Sequence, residues 1–154
     1  MSDEKPAQKL EIQRVYLKDV SLETPNSPQI FSERQWQPEI NLQINSTSAI
    51  VSDELREVVL KLTVTAKLGD RTAYLVEVQQ AGVFMLTGFP DEQLGPVLGA
   101  FCPNILFPFA REAIASLVSK GGFPPLLLNP VNFDALYLQH TQAQKQQAAE
   151  KVGN

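Results

Sequence analysis

The chain has 154 residues, 44% hydrophobic and 19% charged, enough for one domain that buries about two-thirds of its unfolded surface. A net charge of −4 and a pI near 5.0 argue against a nucleic-acid partner, which needs clustered lysine and arginine. The single cysteine, Cys102, can form no internal disulfide, and residues 1–9 hold no apolar signal-peptide core, so a reducing, cytoplasmic location is expected.

Residues 1–9 are polar and are expected to be disordered. Residues 10–23 read as a first strand, with Leu10, Ile12, Tyr16 and Val20 on one parity and Val15 and Leu17 on the other, which predicts a bulge or two-sided burial. Residues 24–37 hold Pro25, Asn26, Pro28, Phe31 and Trp36, and a loop of that length tends to be functional. Residues 39–45 alternate cleanly, with Ile40, Leu42 and Ile44 against polar neighbours, and residues 54–68 repeat the pattern. Gly69-Asp70 supplies a hairpin turn and residues 71–86 return as a fourth strand, which gives an antiparallel meander.

After Gly88 the period changes. Seven of the eight Phe and seven of the eleven Pro lie from Phe84 onward, while residues 94–139 carry only Arg111, Glu112, Lys120 and Asp134 as charges. Leu106, Phe109, Ala110, Ala113, Leu117 and Val118 recur near helical spacing before Gly121-Gly122, and Pro103 and Pro108 confine regular helix to residues after about 107. The uncharged stretch 93–110 is broken by Pro96, Pro103 and Pro108 and is a poor membrane span, so no direct membrane insertion is expected. A stiff loop, residues 123–130, precedes a second helix from about Asn132, with Phe133, Leu136, Tyr137 and His140 on one stripe. One α+β domain is thus expected over residues 10–140, followed by a flexible tail, residues 141–154.

No catalytic constellation emerges. The chain lacks a GxxxxGK[ST] loop, a GxGxxG, a GxSxG elbow and an HExxH. One histidine and one cysteine make no zinc site, so neither metal nor cofactor is expected. His140 reads as a helix-edge histidine and Cys102 as a small buried apolar residue. The pairs Asp53-Glu54 and Asp91-Glu92 read as solvated loop charge, and Gly95-x-x-x-Gly99 lacks the apolar setting of a helix-dimer motif. What remains is apolar surface held in proline-stiffened loops, a reasonable way to preorganise a groove for other polypeptides.

The run Gly99-Ala100-Phe101-Cys102-Pro103-Asn104-Ile105-Leu106-Phe107-Pro108-Phe109-Ala110-Arg111-Glu112 resembles the signature of the bacterial SecB protein-export chaperones. So do Asn129-Pro130-Val131-Asn132-Phe133-Asp134-Ala135-Leu136, Trp36-Gln37-Pro38-Glu39 and Leu75-Val76-Glu77-Val78-Gln79-Gln80. The resemblance implies a homotetramer, a dimer of dimers, that holds precursor polypeptides unfolded and hands them to the SecA export motor. It implies a four-stranded antiparallel sheet followed by two helices. It places the motor-binding surface at Asp19, Glu23, Leu75 and Glu77, and here Leu75 and Glu77 share one strand parity, as do Asp19 and Glu23. It places effects on assembly at Val76, Val78 and Gln80. The client groove is expected to involve Trp36, Leu42, Phe84, Phe109, Phe123 and Leu126. The slightly basic tail, with Lys145, Glu150 and Lys151, departs from the acidic ending common in that family. Two rival readings stand beside this one: a small hydrolase or isomerase using scattered carboxylates, and a dedicated chaperone for one partner such as a toxin or secretion substrate.

Overall fold

The computed structural model describes residues 7–152. Four strands, β1 (Lys9–Glu23), β2 (Glu39–Ser52), β3 (Leu55–Leu68) and β4 (Arg71–Thr87), form one antiparallel sheet. Helix α1 (Asp91–Pro96), a π-helical turn (Val97–Phe101), α2 (Cys102–Lys120) and α3 (Phe133–Val152) follow. The α+β class is as expected; the meander is corrected. The strand order is β1-β4-β3-β2, so only β2, β3 and β4 run as a meander, and β1 lies at the far edge beside β4. The long connection, residues 24–38, makes this possible where a tight hairpin would have forced β1 against β2. It is tied to the β3–β4 hairpin: the Asn26 side-chain amide donates to the Thr72 carbonyl at 2.8 Å, and Arg71 pairs with Glu33.

The mixed parity of β1 is resolved by two bulges, which leave Gln13 and Lys18 without a direct partner on β4. Leu10, Ile12, Val15, Leu17, Val20 and Leu22 consequently stand opposite Leu86, Phe84, Gly82, Gln80, Val78 and Val76, all on one sheet face. That face is the core side. It buries Val58, Leu60, Leu62, Val64 and Ala66 of β3 and Tyr74, Val76, Val78 and Phe84 of β4, and α2 packs across it with Leu106, Ala110, Ile114 and Val118. Gly82 is needed here, because the Phe84 ring folds back over it beneath Leu106, and a Cβ would stand 2.8 Å from that ring.

The helical region starts earlier than expected, as an unbroken stretch from Asp91 to Lys120. Pro103 sits in the first turn of α2, where a missing N–H costs little. Just before it, the Cys102 N–H bonds to the Val97 carbonyl, the wider π spacing at which the Pro103 ring need not meet a carbonyl four residues back. This stretch has the length and apolarity of a membrane-crossing helix, and its buried side is laid on β4 and β3. Gly95 and Gly99 do have a use: their bare backbone accepts the Tyr137 ring of α3, and a Cβ at either would strike it. The expected tail is helical as far as Val152, although its residues beyond Thr141 are exposed. β2 likewise runs past the expected residue 45 to Ser52. Of the residues expected to be disordered, 1–6 lie outside the described residues, and Lys9 already belongs to β1.

Candidate functional site

The outer face of the sheet is polar, and its register brings the sequence-predicted motor-binding residues together. Glu23, Leu75, Thr65 and Asn41 stand in one row across all four strands. Ser21, Glu77, Thr63 and Gln43 form the next row, and Asp19, Gln79, Lys61 and Asn45 the third. Neighbouring strands lie about 4.8 Å apart, so the four predicted residues form one compact patch. Asp19 and Glu23 are exposed, and among the described residues neither has an ion-pair partner. Glu77 is held: its Oε1 accepts a hydrogen bond from Thr63 Oγ1 at 3.1 Å, and Lys61 Nζ lies 3.5 Å away.

Further along this face, β4 carries Ala81, whose short side chain lets Tyr16 on β1 reach Glu57 on β3. The Tyr16 hydroxyl donates to the Glu57 carboxylate, which pushes the phenol up to about 12. Glu57 is held below the usual carboxylate value by hydrogen bonds from Lys18, at 2.8 Å, and from Tyr16.

Val76, Val78 and Gln80 point the other way and are buried within the single chain, at 0%, 0% and 3% exposure. Within the single chain these three side chains lie on the core side of the sheet and present almost no surface of their own. Gln80 reaches β1 from below: its Nε2 donates to the Tyr16 carbonyl at 3.0 Å, beside the second bulge.

On the core side, at the β3–β4 hairpin end, four aromatic rings cluster. Trp36 stacks on Phe123 at 5.3 Å and on Tyr74 at 6.3 Å, while Phe31 and Tyr74 each meet Phe123 at 5.2 Å. Tyr74 and Phe123 are buried and form the floor, and the burial raises the Tyr74 phenol above its ordinary pKa. Phe31 is 49% exposed and covers Gly122, whose backbone has a φ of 90°. Leu42 and Leu126 are half-buried against the same core. Beyond Leu42, β2 borders a hollow of about 560 Å³ lined by Ile44, Leu98, Phe133, Leu136 and Tyr137 among others.

Two predicted groove residues lie elsewhere. Phe84 is fully buried under Leu106 and presents no surface. Phe109 is half-exposed on the outer side of α2, with Phe101 and Ile105 in helical register, and has no aromatic partner among the described residues. Phe31 and Tyr74, which the sequence did not single out for a groove, complete this aromatic cluster. Phe31 stands in the long loop before β2, whereas Tyr74 joins the cluster only when the hairpin is folded. Cys102 is buried and its thiol is pushed up to about 12, which keeps it protonated and unreactive. Among the described residues, no group of three His, Cys, Asp or Glu side chains could hold a metal.

A family model described as preprotein translocase subunit SecB matches residues 3–144. The chain belongs to the SecB family. It is 61% identical over 142 residues to a protein-export protein SecB of Nitrosococcus oceani, covering 92% of this chain and 87% of that relative. A protein-export protein SecB of Methylococcus capsulatus is 53% identical over 150 residues, 96% of each chain. Among solved structures, a SecB-like chaperone of Mycobacterium tuberculosis in complex with an antitoxin peptide is similar at a TM-score of 0.63 and 15% identity, over 79% of this chain and 87% of that one, a likeness of fold. SecB membership makes protein export the process this chain serves and makes it a chaperone.

Proposed function

We propose that this SecB chaperone works in the cytoplasm, without ATP and without catalysing a reaction, by holding precursor polypeptides unfolded on its core-side edge and delivering them to a SecA-type motor docked on its outer sheet face. The observation that carries this is the division of labour between the two faces of β4, with aromatic rings on one and an acidic patch on the other. The client path follows β2 from Trp36, Phe123 and Leu126 past Leu42 to the hollow at Ile44 and Tyr137. β2 is an edge strand, so its free backbone groups add sequence-independent pairing to an extended client.

Each buried aromatic or leucine anchor contributes about 1.5–3 kcal/mol before ordering costs. One protomer therefore holds a client weakly, and several grooves on one homotetramer gain avidity along a long chain. Two surfaces suit assembly as a dimer of dimers. β1 is a fifteen-residue edge strand with Ile12, Leu17 and Val20 exposed, and the π-helical turn and α2 together show the apolar stripe of Phe101, Ile105 and Phe109. Val76, Val78 and Gln80 act on assembly through the packing beneath β1. Trp36 is the only tryptophan, so its fluorescence tests the reading. An unfolded precursor should change the emission and purified SecA alone should not; a precursor that binds tightly without altering Trp36 would rule out this groove.

A further inference from the structure

Within the three rows of the outer patch, Lys61 is the only cation, and it sits on Glu77 rather than in open water. Thr63 and Lys61 both engage Glu77 Oε1, so that oxygen is already supplied with a donor and a positive charge. A shallow hollow of about 290 Å³, lined by Gln43, Ile44, Asn45, Lys61, Thr63 and Glu77, opens beside the pair. Both side chains stay partly exposed, at 42% for Lys61 and 30% for Glu77, so the ion pair is wet and exchangeable. Asp19 and Glu23 attract a basic segment without such a competitor, whereas a cation approaching Glu77 meets the Lys61 ammonium already seated at Oε1.

We infer that Lys61 is a specificity-determining residue for motor docking: in the free chaperone its ammonium occupies the carboxylate that a cationic side chain of the motor takes, and docking displaces it. This rests on the reading of the outer face as the motor site. Thr63 is a positioning residue in the same arrangement, holding the Glu77 carboxylate while the cations exchange. An internal competitor lowers affinity for any single lysine and favours a partner that brings several cations at once.

The test is a double-mutant cycle read by titration calorimetry of the full-length chaperone with purified SecA at low and moderate salt. Lys61→Met should tighten binding about threefold at low salt, an ion pair of this exposure being worth only about 0.2–1 kcal/mol, and should steepen the salt dependence. In a Glu77→Gln background, itself weakly binding, the Lys61→Met gain should vanish. If Glu77→Gln weakens binding but Lys61→Met leaves it unchanged or weaker, the competitor role is overturned and the motor site stands. A gain of equal size in both backgrounds shows general charge repulsion and overturns it as well. If Glu77→Gln leaves SecA affinity intact, both the competitor role and the motor site fail.

Discussion

Tyr74 and Leu75 are adjacent on β4 and face opposite ways: Tyr74 lies in the floor of the aromatic cluster, and Leu75 stands beside Glu23 in the acidic patch. Strand alternation alone produces this. On the proposed reading, a client on one side and a motor on the other are separated by the thickness of one sheet, so each site should be alterable without touching the other.

Trp36→Ala should weaken capture of unfolded precursor about tenfold or more per groove, since a buried aromatic anchor is worth about 1.5–3 kcal/mol. SecA affinity should not move. Light scattering of an aggregating client and calorimetry with SecA check the two halves.

Glu77→Lys should produce the reverse pattern. It puts a second cation beside Lys61 on the patch, so SecA binding falls sharply while client capture and the oligomer mass stay as they were. Calorimetry and native mass determination on one preparation provide the comparison.

Gln80→Ala removes a buried donor from the Tyr16 carbonyl and should destabilise the fold by about 1–3 kcal/mol. Hydrogen exchange should quicken first in β1 around its second bulge, and the assembly should loosen with it. Protection lost evenly over the sheet would show that Gln80 does not hold β1.

Tyr16 gives a pH signature. Its folded pKa is raised from 10.0 to about 12, chiefly by the hydrogen bond to Glu57. The stability from this bond is complete below pH 10 and is lost as pH rises through about 12. Glu57 is shifted down, so its share is present above pH 4.5 and disappears as pH falls through its folded value. Phenolate absorbance should show a late transition, shared with the buried Tyr74, whose amplitude Tyr16→Phe reduces.

Gly99→Ala should dislodge α3, because the added methyl group meets the Tyr137 ring. Limited proteolysis should cut between residues 133 and 152 while the sheet remains intact, and Tyr137→Ala in the same chain should relieve the clash.

Much of this architecture is legible along the chain because β3 alternates strictly, burying one face, and β4 does so over Leu75–Gln80. The first strand was harder: its apolar residues change parity twice, and only pairing with β4 shows that Gln13 and Lys18 are the extra residues. Its position beside β4 is a tertiary fact carried by the long connection, not by a local pattern. The second half of β2, Ser46–Ser52, has too few apolar residues to announce a strand and is held by its pairing with β3. Prolines misled at α2: first-turn and π geometry accommodate Pro103, and the helix continues through Pro108 in its interior. The residues of the acidic patch came from the family resemblance; parity fixed only that each pair shares a face, and the register of β1 on β4 puts both pairs on the same one. Among the residues expected to line a groove, Phe84 is apolar like Phe123, and only the bare Gly82 backbone beneath its ring shows that it is core.

Native mass spectrometry of chaperone, unfolded precursor and purified SecA together is the most direct measurement. Opposite faces predict one species containing all three, with the chaperone as a tetramer. Two binary complexes in competition, with no ternary mass at saturating concentrations, would contradict the separation of client and motor sites.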